Sequence, residues 1–333
     1  MSYQEKQAFI TGATGFVGGA LAERLVEQGW TVTALVRPQS ETAKLESLGI
    51  SLVPGDVCQS EGLAEAMAGA GVVFHCAALT GVGHRNSDLH RVIAQGTNNL
   101  LDAAHTSGVQ RFVYVSSVAV YELSEASECD ERHALLSSSI DPYAQAKIAA
   151  EKACFEACRA GKLEATIVRP AFIYGPGDRP GGFLPELVNM ISKGKFKLIG
   201  GGDHQIPLVY ISDLTDLLIR CACQPEAAGE IYNASSKESP SWQELAKVLC
   251  NELDLKMPGS VSENLVMPVA GLLELLARYK LLRTLPVSKA AVRLLSRPVT
   301  ISVEKAGRDL GYVSTTGFRE GMKNCLPMLR SIN

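Results

Sequence analysis

The chain has no apolar run approaching the roughly 18 residues of a membrane-spanning helix, and no basic N-terminus leading into an apolar stretch and a cleavage site. Both argue against a spanning segment and a secretory signal. There is little net charge: 32 Lys and Arg stand against 35 Asp and Glu, for -3 overall. That balance gives no support to a general nucleic-acid binder. No two cysteines have the two-residue spacing of common zinc or redox sites: Cys154 and Cys158 are four apart, and Cys221 and Cys223 flank one alanine. The nine scattered thiols fit a reducing compartment and point to the cytoplasm. His84, His90 and His133 show no ligand spacing, so no metal is expected. There is no low-complexity tract and no internal repeat.

Short β-like runs alternate with amphipathic stretches through the first half. Strands are expected at 7–10, 31–36, 51–53, 72–76, 111–116 and 165–168. Helices are expected at 15–28, 41–48, 61–68, 88–105 and 142–160. That rhythm implies an α/β fold, a Rossmann-type, doubly wound parallel sheet covered on both faces. After Pro170 the rhythm breaks into Gly- and Pro-rich loops at 174–182 and 200–202. A strand at 206–211 follows, with Ser212-Asp213 as a helix cap, then a helix at 242–253. The expected division is a dinucleotide-binding domain at 1–170, to which 206–235 returns, and a smaller α+β substrate domain at 171–205 and 236–333. The stretch 265–282 is apolar around most of its circumference. It reads as a core or dimer-packing helix, or else as an apolar wall for a lipophilic substrate or a surface touching membrane.

The first strand runs into Thr11-Gly12-Ala13-Thr14-Gly15-Phe16-Val17-Gly18, a G-x-x-G-x-x-G turn opening a helix. Gly12 permits the tight turn, Gly15 lets a pyrophosphate approach the backbone, and Gly18 lets the helix pack on the strand. Phosphates then meet the free N–H groups and dipole of the helix N-terminus. Where an NAD site places an acid after the second strand, this chain has Arg37. A guanidinium suits a ribose 2′-phosphate, so NADP(H) is the expected cofactor and NAD(H) the alternative; a solvated surface arginine is the plain reading. Asp56 is placed to meet the adenine amino group, or to serve as a turn residue after Gly55.

Tyr143 and Lys147 stand four apart near the start of a helix, and so on one face. A phenol with a pKa of about 10 needs help as an acid–base catalyst at neutral pH. A nearby ammonium and the nicotinamide's charge would lower that value. Ser116 and Ser117 end a strand, where ligands of doubly wound sheets bind.

In these motifs the sequence resembles the extended short-chain dehydrogenase/reductase family. The resemblance rests on Thr11 to Gly18, HCAA at His75 to Ala78, GTNNLLDAA at Gly96 to Ala104, VSSVAVY at Val115 to Tyr121, YAQAK at Tyr143 to Lys147, and RPAFIYGPGD at Arg169 to Asp178. It implies Tyr143 as general acid/base, Lys147 as its partner and ribose contact, and Ser117 as the stabiliser of the substrate oxygen. Ser117 is preferred to Ser116 because it stands four residues before Tyr121. It implies a cofactor held by Gly12, Thr14, Gly15, Phe16, Val17, Gly18, Arg37, Asp56, Val57, Cys76, Ala77, Ala78, Tyr143, Lys147, Pro170 and Ile173. One departure stands out. The family's N-V-x-G-T is here Ile93-Ala94-Gln95-Gly96-Thr97, with Ile93 at the asparagine position.

The second half is most similar to 3β-hydroxysteroid dehydrogenase and dihydroflavonol reductase-like members, through 184–214, 229–245 and 301–312. This implies a secondary alcohol or ketone on an apolar small molecule. Nucleotide-sugar epimerases and dehydratases with tightly bound NAD are the alternative. They commonly carry an asparagine close before the YGP turn, where Ala171-Phe172-Ile173 stands here. Arg179, Lys193, Lys195 and Lys197 are the cations left for a diphosphate, or solvated surface. A non-catalytic dinucleotide-sensing protein is a third reading, opposed by the intact Ser117, Tyr143 and Lys147. The substrate pocket is expected between the strand ends carrying Ser117 and Cys76 and the loops 79–91 and 174–202, with 265–285 beside it. The expected partners are a lipophilic small molecule and a second copy of the chain, with peripheral membrane contact open and no nucleic acid.

Overall fold

Seven parallel strands form the central sheet: β1 Gln7–Thr11, β2 Thr31–Val36, β3 Ser51–Pro54, β4 Val72–His75, β5 Arg111–Val115, β6 Glu164–Pro170 and β7 Ile231–Ala234. A computed structural model describes residues 6–80, 84–123, 128–137, 141–278 and 289–332. The strand order is β7-β6-β5-β4-β1-β2-β3, all neighbours parallel. The order reverses at β1, between β2 and β4, and such switch points are where open α/β sheets bind ligands. Register places Ile10 opposite Ala34 on one side and Phe74 on the other.

The period of two along each strand feeds two apolar layers. Ala8 and Ile10 join the cluster with Leu21 and Leu25 of helix α1 (Phe16–Glu27). Phe9, between them, joins Leu100 and Leu101 of α2 (Gly96–Thr106) and Ala146, Ala150 and Cys154 of α3 (Pro142–Arg159). Asp141 caps α3, accepting from the backbone N–H of Tyr143 and Ala144, and Pro142 takes the first helical position. So local contacts satisfy the first turn of the helix that carries Tyr143.

The region expected to be one helix at 88–105 is instead helical at Asn86–Leu89, a π-helical turn at His90–Gln95, and then α2. The helices at Ala43–Ser47 and Leu63–Ala66 are shorter than expected. The strand expected at 206–211 is Leu208–Tyr210. It pairs with Phe172–Tyr174 outside the main sheet. Ser212 and Asp213 do not cap the next helix. It starts at Ile211 because the strand runs straight into α4 (Ile211–Cys223). Asp213 is buried in its first turn and accepts from Ser314, Thr315 and Thr316, tying down the C-terminal segment. α4 packs on the α1 side of the sheet through Leu214, Leu217 and Leu218.

A separate apolar core lies in the C-terminal half. It gathers Tyr174, Leu184, Leu208, Trp242, Leu245, Leu249, Met322 and Leu329. Helix α5, at Glu263–Arg278, covers the described part of the apolar stretch expected at 265–282. The remainder, from 279, lies outside the described residues, as do 81–83 of the expected pocket loop. α5 is neither fully buried nor fully a wall. Ala270 packs with Ile199 and Val292, while Leu265, Val269, Leu272 and Leu275 are 48–72% exposed along one stripe. Among the described residues no helix is long and apolar enough to cross a membrane.

Candidate active site

The glycine turn has the geometry its spacing implies. Gly12 sits at φ +74°, where an added Cβ would lie 2.7 Å from the backbone nitrogen of Ala77. A Cβ at Gly18 would lie 2.6 Å from the carbonyl carbon of Gly12, so α1 can approach the turn only with glycine there. Gly15 is exposed and is the N-cap of α1. No side chain caps that helix and its first turn holds no acid. Its N–H groups therefore face the open end of the sheet with their positive dipole uncompensated, a fit for a pyrophosphate. Thr14 is half-buried, and Phe16 and Val17 pack toward the C-terminal core.

Cys76, Ala77 and Ala78 follow β4 and lie half-buried beside this turn; Pro170 ends β6 and Ile173 follows on the short strand beyond it. Behind them runs a buried hydrogen-bond chain. His75 Nδ1 is 2.7 Å from Thr11 Oγ1, and its Nε2 is 3.0 Å from Thr97 Oγ1. Burial holds His75 down to about 3, so the ring is neutral and structural. Arg37 is exposed just past β2. Asp56 Oδ1 accepts from the Cys58 N–H at 2.9 Å, which closes the turn after Gly55. Val57 is buried, and its carbonyl accepts from Asn99.

Tyr143, Lys147 and Ser117 come together at the C-terminal end of β5. The Ser117 side chain is a polar neighbour of the Tyr143 phenol, and its oxygen accepts from the Ala119 N–H at 3.1 Å. Lys147 Nζ lies 5.9 Å from the Tyr143 ring centroid and 4.8 Å over that of Tyr114, and donates to the Val115 carbonyl at 2.6 Å. Burial pushes Tyr143 up to about 12, with Ser117 pulling the other way. Burial also holds Lys147 down to about 8, against the raising effect of Glu151. Within the protein frame desolvation outweighs the Ser117 contribution.

Ile93 is fully buried in the cluster against which Tyr143 packs. Its carbonyl accepts the Thr97 hydroxyl at 2.5 Å. Neither its side chain nor that carbonyl stands in for the family's asparagine amide. His84 and His133 bond to the carbonyls of Thr80 and Glu122. Two surface clefts of about 380 and 620 Å³ lie beside helices Phe183–Ser192 and Trp242–Leu253 and share no residue with this site.

The residues missed from the sequence are Glu151 and Arg169. Each is 2% exposed, and they form a bidentate pair at 2.6 and 2.9 Å. Glu151 follows Lys147 by four, continuing the Tyr143 and Lys147 face, a spacing that would have revealed it.

The model of the NAD dependent epimerase/dehydratase family matches residues 8–235. The chain belongs to that family. Its place within the extended short-chain dehydrogenases/reductases makes it an NAD(P)-dependent enzyme of CH–OH and keto chemistry. Among relatives, it is 30% identical over 319 residues to the 4-hydroxy-2-methyl-3-oxo-4-farnesyl-3,4-dihydroquinoline-1-oxide ketoreductase of Stigmatella aurantiaca, covering 95% of this chain and 94% of that one. It is 30% identical to the 2-alkyl-3-oxoalkanoate reductase of Stenotrophomonas maltophilia, covering 94% and 96%. The solved structure of gox2253 superposes with a TM-score of 0.85 at 26% identity, covering 98% of both chains.

Proposed function

We propose that this family member reduces a ketone on a lipophilic small molecule to the secondary alcohol, and runs the reverse oxidation at the same site. The observation that carries this is the placement of Tyr143 and Lys147, on one face of α3, beside Ser117 at the strand ends next to the glycine turn. The Ser117 hydroxyl would hold the substrate oxygen. Tyr143 would donate its proton to that oxygen as negative charge develops there. Lys147, anchored on the Val115 carbonyl, would stabilise the resulting phenolate and meet the nicotinamide ribose. When bound, the cofactor supplies the hydride from nicotinamide C4. The reductase activities named for the two relatives support this direction.

Gly12, Gly15 and Gly18, with the free N–H groups of α1, would hold the pyrophosphate. Thr14, Phe16, Val17, Asp56, Val57, Cys76, Ala77, Ala78, Pro170 and Ile173 would line the rest of the cofactor's path. Arg37, with no acid in the NAD position, supports NADPH as the preferred form. Residues 171–205 and 236–333 would supply the substrate side. The exposed α5 stripe is followed in sequence by Arg278, Lys280, Arg283, Lys289, Arg293 and Arg297, with no acid from 275 to 303. That pairing supports contact with an anionic lipid surface as the source of such a substrate. Co-sedimentation with phosphatidylglycerol vesicles, and none with phosphatidylcholine, is the expected result.

The deciding experiment compares thermal shifts of the NADPH complex with a sterol and long-chain ketone panel and with a UDP-, GDP- and dTDP-sugar panel, followed by turnover. Saturable stabilisation by a lipophilic ketone is expected. Stabilisation by a sugar nucleotide alone would replace this reading with an epimerase or dehydratase.

A further inference from the structure

The end of β5 is joined to α3 residue by residue. The Val115 carbonyl accepts from Lys147, Ser116 Oγ donates to Glu151 Oε1 at 2.5 Å, and Ser117, next in the chain, neighbours Tyr143. Tyr143, Lys147 and Glu151 stand at four-residue steps, so one helix face carries all three toward the end of β5. Arg169, on the neighbouring strand β6, grips Glu151 from the other side. Its guanidinium also lies 4.7 Å over the Tyr121 ring and donates to the Glu131 carbonyl at 3.3 Å. A buried ion pair is an expensive way to gain stability alone, because desolvation offsets the attraction. Here both carboxylate oxygens are committed, one of them to the residue before Ser117.

We propose that Glu151, braced by Arg169, is a positioning residue of the active site: it ties the third turn of α3 to Ser116, so that Ser117, Tyr143 and Lys147 keep one geometry, and it is the anionic neighbour of Lys147. This inference rests on the Ser117–Tyr143–Lys147 reading above. Lys147 is faced by Tyr143, Glu151 and Cys154 from α3, by His75 and Cys76 at the end of β4, and by Tyr114 from β5. Glu151 is the carboxylate among them, and it acts to keep the amine charged against burial.

Glu151→Gln alone strands the Arg169 charge and can unfold the chain. The test therefore uses Glu151→Gln/Arg169→Met, which removes both charges, and Glu151→Asp, which keeps the charge on a shorter arm. Folding is checked by circular dichroism, and kcat and KM are followed across pH with NADPH and a ketone that the native enzyme turns over. NADPH affinity over the same pH range gives a readout that needs no substrate. In the double variant the high-pH limb of kcat, and of NADPH binding, should move down by roughly one pH unit, the scale of one close charge interaction. In Glu151→Asp the limb should stay while kcat falls about ten- to a hundredfold, the cost of a small misplacement at a reacting centre. A folded double variant with both limbs unmoved, or Glu151→Asp with native kcat, overturns the inference. Tyr143→Phe is assayed alongside. If it retains turnover the catalytic reading itself has failed, which separates the two failures.

Discussion

Alanine at Gly15 and alanine at Gly18 each add one methyl group to the same turn, yet they should fail differently. At Gly18 the new Cβ would stand 2.6 Å from the Gly12 carbonyl carbon and 2.9 Å from the Ala13 nitrogen. Both are backbone atoms, so α1 itself must lift from β1. Overpacking of this kind costs up to about 3 kcal/mol. The better helix propensity of alanine returns about 1 kcal/mol. The net, about 2 kcal/mol, lowers Tm by roughly 3 °C in a chain of this size. Gly15 has φ -91°, which alanine adopts freely, and its Cβ would meet only the Gly12 oxygen at 3.2 Å. Its stability should change by about 1 kcal/mol or less, the scale of an N-cap exchange. The methyl would instead occupy the exposed face that a pyrophosphate must approach, so NADPH affinity should fall at least about tenfold, or roughly 1.4 kcal/mol. Melting curves with and without NADPH, together with fluorescence titration, read both quantities. Native Tm for Gly18→Ala, or native NADPH affinity for Gly15→Ala, would refute the reasoning.

Arg37→Ala should weaken NADPH by roughly tenfold or more, the value of a charge-assisted contact, and leave NADH almost unchanged; parallel titrations check this, and equal losses would contradict it. Tyr143→Phe should cut kcat by about 10²–10⁴-fold with little change in cofactor affinity, because the ring still packs while the proton is lost. With Lys147 held down to about 8 by burial, the native enzyme should lose kcat as pH rises through about 8 and the ammonium discharges, seen in a buffer series. Ile93→Asn should not raise turnover. It puts an amide among Leu89, Leu100 and Ala146, at a cost of about 1–3 kcal/mol that a melting curve reads as a lower Tm.

Much of the chain was legible before folding because its signals are local. The β-branched and apolar runs at Thr31–Val36 and Arg111–Val115, and the Asp141-Pro142 cap that starts α3, depend on near neighbours. So do the three glycines, since each answers a backbone need within one turn of chain. The Tyr143 and Lys147 face follows from four-residue spacing alone. Boundaries failed where a tertiary partner set them. Leu208–Tyr210 ends early because α4 begins at once, and Asp213 turned from cap to clamp because the segment at Ser314–Thr316 comes back to it.

What the sequence by itself determined is the order of strands and helices, the glycine turn and the helix face that carries Tyr143 and Lys147, all set by short-range pattern. The tertiary structure decided the rest. It set how far burial shifts Tyr143 up and Lys147 down, because desolvation depends on what surrounds a group from every side. It brought Ile231–Ala234 beside Glu164–Pro170 to complete the sheet. It also clasped Glu151 with Arg169, two charges eighteen residues apart that only the packing of α3 on β6 places in contact.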